Sequence, residues 1–116
     1  LVLVYKLWQE FVIHIPKKSR YSLGHKIDLY LLTVIELVYL ASMSSSAEKL
    51  TLLRQALRKF DVLKFLVRIA WEIKALDNKK YLALSEPFDE IGRMLGGWFK
   101  KVAKETPPKN IGGEQR

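Results

Sequence analysis

A chain of 116 residues, 49% of them apolar and none cysteine, has enough material for one domain with one real core. It excludes a disordered chain, a disulfide scaffold, thiolate catalysis and every cysteine-based zinc site. The net charge of +8 sits at the two ends: residues 1–26 carry five positive and one negative side chain, residues 27–92 nine of each, and residues 93–116 six and two.

Such an excess raises the local concentration of polyanions such as nucleic acid. The absence of cysteine fits a reducing cytoplasm. Leu1 to Val4 does not open a signal peptide, because Lys6, Gln9 and Glu10 interrupt it and no small-residue cleavage site follows. The longest apolar run, Leu29 to Met43, is split by Glu36 and is shorter than the roughly 20 residues that span a bilayer. No membrane segment is expected, and the expected location is cytoplasmic. The chain begins without methionine, so further residues are expected before Leu1.

Residues 1 to about 14 form the first amphipathic helix. Val4, Leu7, Trp8, Phe11, Val12 and Ile15 follow the 3/4 spacing, with Lys6, Gln9, Glu10 and His14 on the other face. Pro16 disfavours helical geometry at Ile15 and ends the element. Lys17, Lys18 and Arg20 then form a basic loop with no acidic residue in it. Ser22 is a candidate cap for a second helix over 23–43. Between Ile27 and Leu40 only Asp28, Thr33 and Glu36 are polar, and Leu32, Ile35 and Tyr39 share the sector of Asp28 and Glu36. A helix that is apolar almost all round must be covered almost all round. Neighbours in a small bundle cover one side, so Leu32, Ile35 and Tyr39 are the expected oligomer interface.

Ser44 to Ser46 make a turn, and Ser45 with Glu48 forms a capping box for a third helix over 47–76. Its core set is Leu50, Leu53, Leu57, Phe60, Leu63, Val67, Ala70 and Trp71. Arg54, Arg58, Lys64 and Arg68 lie on one stripe together with Asp61 and Glu72. That mixture suits a solvated face with i,i+4 pairs or a nucleic-acid face, and both readings stay open. Asp77 caps a fourth helix over 79–104. Pro87 is expected to kink or break it, or to open a second short helix from its first turn. Gly92, Gly96 and Gly97 place small residues one turn apart, which costs helix propensity and implies a close helix approach, with Trp98 packing beside them. Residues 1–104 thus form one all-α domain, an antiparallel up-down-up-down four-helix bundle. Residues 105–116 are expected to be a disordered C-terminal tail.

Few constellations carry chemistry. His14 and His25 are the only histidines, and no Glu-x-x-His, P-loop, Gly-x-Ser-x-Gly or His-Glu-x-x-His occurs. No metal, cofactor or enzymatic activity is expected. Trp8, Trp71 and Trp98 fit core positions. Tyr21, between Arg20 and the helix start, either staples the helix or stacks on a base.

Pro16-Lys17-x-x-Arg20-Tyr21-Ser22-Leu23-Gly24, Leu66-x-Arg68-x-Ala70 and Glu90-Ile91-Gly92-Arg93-Met94-Leu95-Gly96-Gly97-Trp98 together resemble the accessory variability determinant (Avd) proteins of diversity-generating retroelements. The resemblance runs over roughly residues 4–101. The four-helix-bundle proteins encoded in 23S rRNA intervening sequences share the architecture. The Avd resemblance implies a ring, a pentamer, of four-helix protomers. It implies a non-catalytic accessory role in mutagenic retrohoming, with a reverse transcriptase and RNA or DNA as partners. The alternative is an rRNA-intervening-sequence-type protein that binds RNA without a polymerase. On either reading, Lys17, Lys18, Arg20, Lys26, Arg93, Lys100 and Lys101 are the first candidates for phosphate contact, with Arg54, Arg58 and Arg68 behind them. In a ring, Lys17, Lys18 and Arg20 would repeat around one rim, and Lys100, Lys101 and Lys104 around the other.

Overall fold

The computed structural model describes residues 1–106. Helix α1 spans Val2–Val12. A single turn, α2, covers Lys17–Ser19 and runs into a π-helical turn over Arg20–Gly24. This continues as α3, His25–Ser42. Helices α4, Ser46–Glu72, and α5, Asn78–Glu105, complete the chain. No strand occurs among the described residues.

Helix α4 packs against α3 on one side and α5 on the other, and α1 bridges α3 and α5. The result is an all-α four-helix bundle, elongated at 53 × 21 × 21 Å. Its core runs from Trp8 and Ile27 through Leu53, Phe60 and Leu63 to Leu84 and Leu95. Phe60 meets Phe88 edge to face at 5.6 Å. The expected α4 core holds at Leu53, Phe60, Leu63, Val67 and Ala70, all buried, while Leu50, Leu57 and Trp71 are half-buried. Trp71 stacks flat on Tyr81 at 4.7 Å and donates its indole N–H to Asn78 Oδ1 at 2.6 Å. Asp28, polar in an apolar helix, ties α3 to α1: it accepts from Gln9 at 3.1 Å. Partial burial, then the neighbouring Asp28, pushes the Tyr5 phenol above its usual range.

Several local expectations change. The stretch after Pro16 is helical rather than a loop, because the Pro16 carbonyl accepts from the Ser19 and Arg20 amides at 2.9 Å each and starts the helix itself. Ser22 is therefore no cap. It lies within the π turn and its hydroxyl donates back to the Lys18 carbonyl at 3.3 Å. Ser45 has the extended geometry of an N-cap, but its hydroxyl meets the Glu48 carboxylate at 3.1 Å instead of a backbone amide. Helix α4 ends at Glu72, four residues before the expected end, in a left-handed Lys74 (φ 65°). The Lys74 amide bonds the Trp71 carbonyl and the Ala75 amide that of Ala70, a Schellman pattern with lysine where glycine is usual.

Asp77 caps α5 as expected, accepting from the Lys80 amide at 2.8 Å. That bond, then the Lys80 side chain, holds its carboxyl below the usual range. Helix α5 runs through Pro87 without a break. The carbonyl that the proline leaves without a donor belongs to Ala83, an exposed residue that water can reach. Of the tail expected over 105–116, Glu105 still belongs to α5, and residues 107–116 lie outside the described residues.

Candidate nucleic-acid interface

The turn between α1 and α2 and the turn between α4 and α5 come together at one end of the bundle. Ile15, Ser19, Leu23 and Gly24 face Ala70 and Ala75 across a small crevice there. Residues 13–28 carry four basic side chains and one acidic, and residues 68–80 carry four and two. Lys17, Lys18 and Lys26 are exposed, and so are Lys74 and Lys79. Among the described residues the ion pairs are Lys64–Asp61 at 3.7 Å, Arg68–Glu72 at 2.8 Å and Lys80–Asp77 at 3.0 Å. Lys17, Lys18, Lys26, Lys74 and Lys79 are in none of them. An end whose cations outnumber its acidic groups, with several of them outside the ion pairs, can neutralise phosphates without first breaking those pairs. Lys74 and Lys79 were not among the sequence candidates. The short Asp77–Asn78 connection was the signal that put them beside the first basic stretch.

Arg20 has a structural task. Its Nη2 donates to the Ile13 carbonyl at 2.9 Å and the Ile15 carbonyl at 3.0 Å, closing the C-terminal end of α1. Its Nε is buried with no protein partner. The guanidinium thus holds the α1–α2 turn together, and the free cations of this end are the lysines around it.

The other candidates are dispersed. Arg68 is paired with Glu72, as the solvated-face reading of the α4 stripe requires. Arg54 lies over the Phe99 ring at 5.5 Å, an arrangement that spends its charge partly on α5. Arg58 is exposed on the same helix. Arg93 is exposed on α5 beside Glu86, Pro87 and Glu90. Lys100, Lys101 and Lys104 are exposed at the end of α5, at the opposite end of the bundle from Lys17.

A second surface has the opposite chemistry. Helices α1, α3 and α5 border an apolar groove of about 720 Å³, lined by Leu3, Ile35, Tyr39, Pro87, Met94 and Trp98 among others, with Glu90 as its only charged side chain. Leu3 (78%), Met94 (68%) and Tyr39 (64%) are strongly exposed. Ile35 and Tyr39 also line a shallow depression with Leu29, Leu32, Thr33 and Glu36, so the three residues expected at an oligomer interface share one largely apolar face with Glu36 in it. The glycines divide. A Cβ on Gly92 would lie 3.3 Å from the Phe60 ring, so the close approach expected there is real. Gly96 and Gly97 have nothing within 4 Å of that position. Within the protomer they pack against no helix, which corrects the expected contact. Trp98 is half-buried, with Lys49 over its ring at 6.0 Å.

No group of three or more potential metal-ligating side chains occurs among the described residues. No helix among them is long and apolar enough to cross a membrane. A family model described as bAvd-like matches residues 3–102. No curated protein and no solved structure matches the chain.

Proposed function

The chain belongs to the bAvd-like family, a family of accessory proteins, and on that premise we propose that it is a non-catalytic accessory protein of a diversity-generating retroelement. It acts as an oligomeric basic adaptor in the cytoplasm, binding RNA or DNA and the reverse transcriptase during mutagenic retrohoming. The observation that supports the nucleic-acid half of this reading is the lysine-rich end around Arg20, whose exposed cations take no part in the ion pairs among the described residues. Contacts from such lysines position a phosphate backbone without reading its sequence.

The oligomer is a ring, with five copies as the family resemblance implies. Its support in this chain is the apolar face of Leu32, Ile35 and Tyr39 and the groove beside it. Contiguous exposed apolar surface of this kind suits an interaction site. Repetition of the lysine-rich end around a rim converts modest single contacts into avidity.

Co-expression with the retroelement's reverse transcriptase tests the adaptor role. The two are expected to elute as one complex that retains template RNA. A polymerase that elutes alone, with this protein still bound to RNA, would instead fit the rRNA-intervening-sequence type.

A further inference from the structure

Tyr21 occupies an unusual place for a large aromatic side chain. It is 70% exposed and belongs neither to the hydrophobic core nor to the residues packed against it. Most exposed aromatics in this chain have apolar or mixed surroundings: Tyr39 faces the groove, and Phe65 sits one residue from Lys64 on the mixed face of α4. Tyr21 stands among cations. Lys17 Nζ lies 6.0 Å from its ring centroid, Lys18 is exposed in the preceding turn, and Lys26 follows on the same helical stretch.

The backbone explains the exposure. Tyr21 lies in the π-helical turn Arg20–Gly24, which turns Arg20 inward onto the carbonyls of Ile13 and Ile15 and buries Gly24. Tyr21 is left on the outside. Inserted π turns of this kind often occur at functional sites. The turn also separates the two readings of Tyr21 open in the sequence: a staple would pack the ring against its helix, and this ring faces solvent.

We propose that Tyr21 is a stacking platform for an unpaired base, and that Lys17 and Lys18 hold the adjoining phosphates, so the basic end selects single-stranded over duplex nucleic acid. This deepens, and rests on, the nucleic-acid role proposed above. A base face is available only where bases are splayed out of a helix, and aromatic stacking tolerates any base. The preference is therefore for strandedness rather than sequence, and the ring by itself does not distinguish ribose from deoxyribose.

The test is fluorescence anisotropy on the full chain with four probes: a single-stranded uridine tract, a single-stranded thymidine tract, and RNA and DNA duplexes of matched length. Tyr21→Ala is expected to weaken both single-stranded probes about 5- to 150-fold, the range for loss of one base–aromatic stack, while duplex affinity changes less than about twofold. Tyr21→Phe, which keeps the ring face, should bind as the parent does. Tyr21→Ala binding single strands as tightly as the parent, or losing duplex affinity equally, would overturn the platform. In that event Lys17→Glu with Lys18→Glu still weakens every probe if the general nucleic-acid reading holds. A parent protein that binds none of the probes overturns both. Tyr21 packs in no core, so a thermal melt should confirm that its variants fold like the parent.

Discussion

The lysine-rich end and the apolar groove are both exposed surfaces of one small bundle, yet they are built in opposite ways. The end is made of turns and first helical residues: a proline that starts α2, a π turn, a left-handed lysine and an aspartate cap. Its cations sit on the exposed first residues of helices and, at Lys74, on a turn. The groove is made of regular helix faces with a single charge in its lining. Polar surface is inexpensive to leave in water, so the end is complete in the protomer. Apolar surface is not, so the groove is the surface that a neighbouring copy would cover in the proposed oligomer. The glycines differ as well: Gly92 meets Phe60 inside the protomer, whereas a Cβ at Gly96 or Gly97 would have nothing within 4 Å.

Charging the groove should have the largest effect. Tyr39→Glu with Met94→Glu alters two exposed side chains, so the protomer should remain helical by circular dichroism. Light scattering is expected to show protomers, and RNA affinity should fall on the order of 100-fold or more as avidity disappears. A ring that persists would remove this groove from the interface.

Reversing charge at the other surface should act differently. Lys17→Glu with Lys18→Glu is expected to leave the oligomer intact. The slope of log affinity against log salt should fall by about two for each protomer in contact, one for each phosphate no longer neutralised, with at least roughly tenfold weaker binding at moderate salt. Arg20→Ala at the same end should act on stability instead. It removes two hydrogen bonds from a charged donor to backbone carbonyls, each worth about 1.5–3 kcal/mol, and thermal melts are expected to show a midpoint several degrees lower. An Arg20→Ala protein that melts like the parent but no longer binds RNA would return Arg20 to the phosphate-binding set.

The same residues mark what could be read from the sequence. Periodicity of apolar residues predicted the four helices and most of the core, because burial along a helix face follows from spacing alone. The α3 face of Leu32, Ile35 and Tyr39 was legible for the same reason. Arg20 was not. A basic residue after proline reads as part of a charged loop, and its capping role depends on a π turn that periodicity does not register. Pro87 misled in the opposite direction, since the break it threatened is avoided where Ala83 is exposed to solvent. Gly96 and Gly97 signalled a close approach, but spacing could not say that no partner helix lies within the protomer.

Two smaller effects bear on the same contrast. Gly97→Ala is strain-free in the isolated protomer and should raise its helix stability by up to about 1 kcal/mol. If a neighbouring copy crosses close to this glycine, the same change will weaken the ring in light scattering while the protomer melts higher. Asp77 gives the mildest effect. Its folded carboxyl lies below its ordinary value because of the Lys80 amide, so its contribution is fully present above the usual carboxylate range and fades as pH falls through the folded value. Asp77 should therefore add no pH dependence to the stability of the wild-type chain near neutrality. The difference between wild type and Asp77→Ala in urea unfolding should shrink only in acid.

Whether the lysine-rich end binds a nucleic-acid backbone is decided by the salt dependence of single-stranded RNA affinity, measured side by side for the parent and Lys17→Glu/Lys18→Glu proteins. A steep, linear loss of the parent's log affinity is expected between about 50 and 200 mM salt, with a shallower line for the variant. Two superimposable lines, or a parent affinity that does not change with salt, would contradict a phosphate-binding role for these lysines.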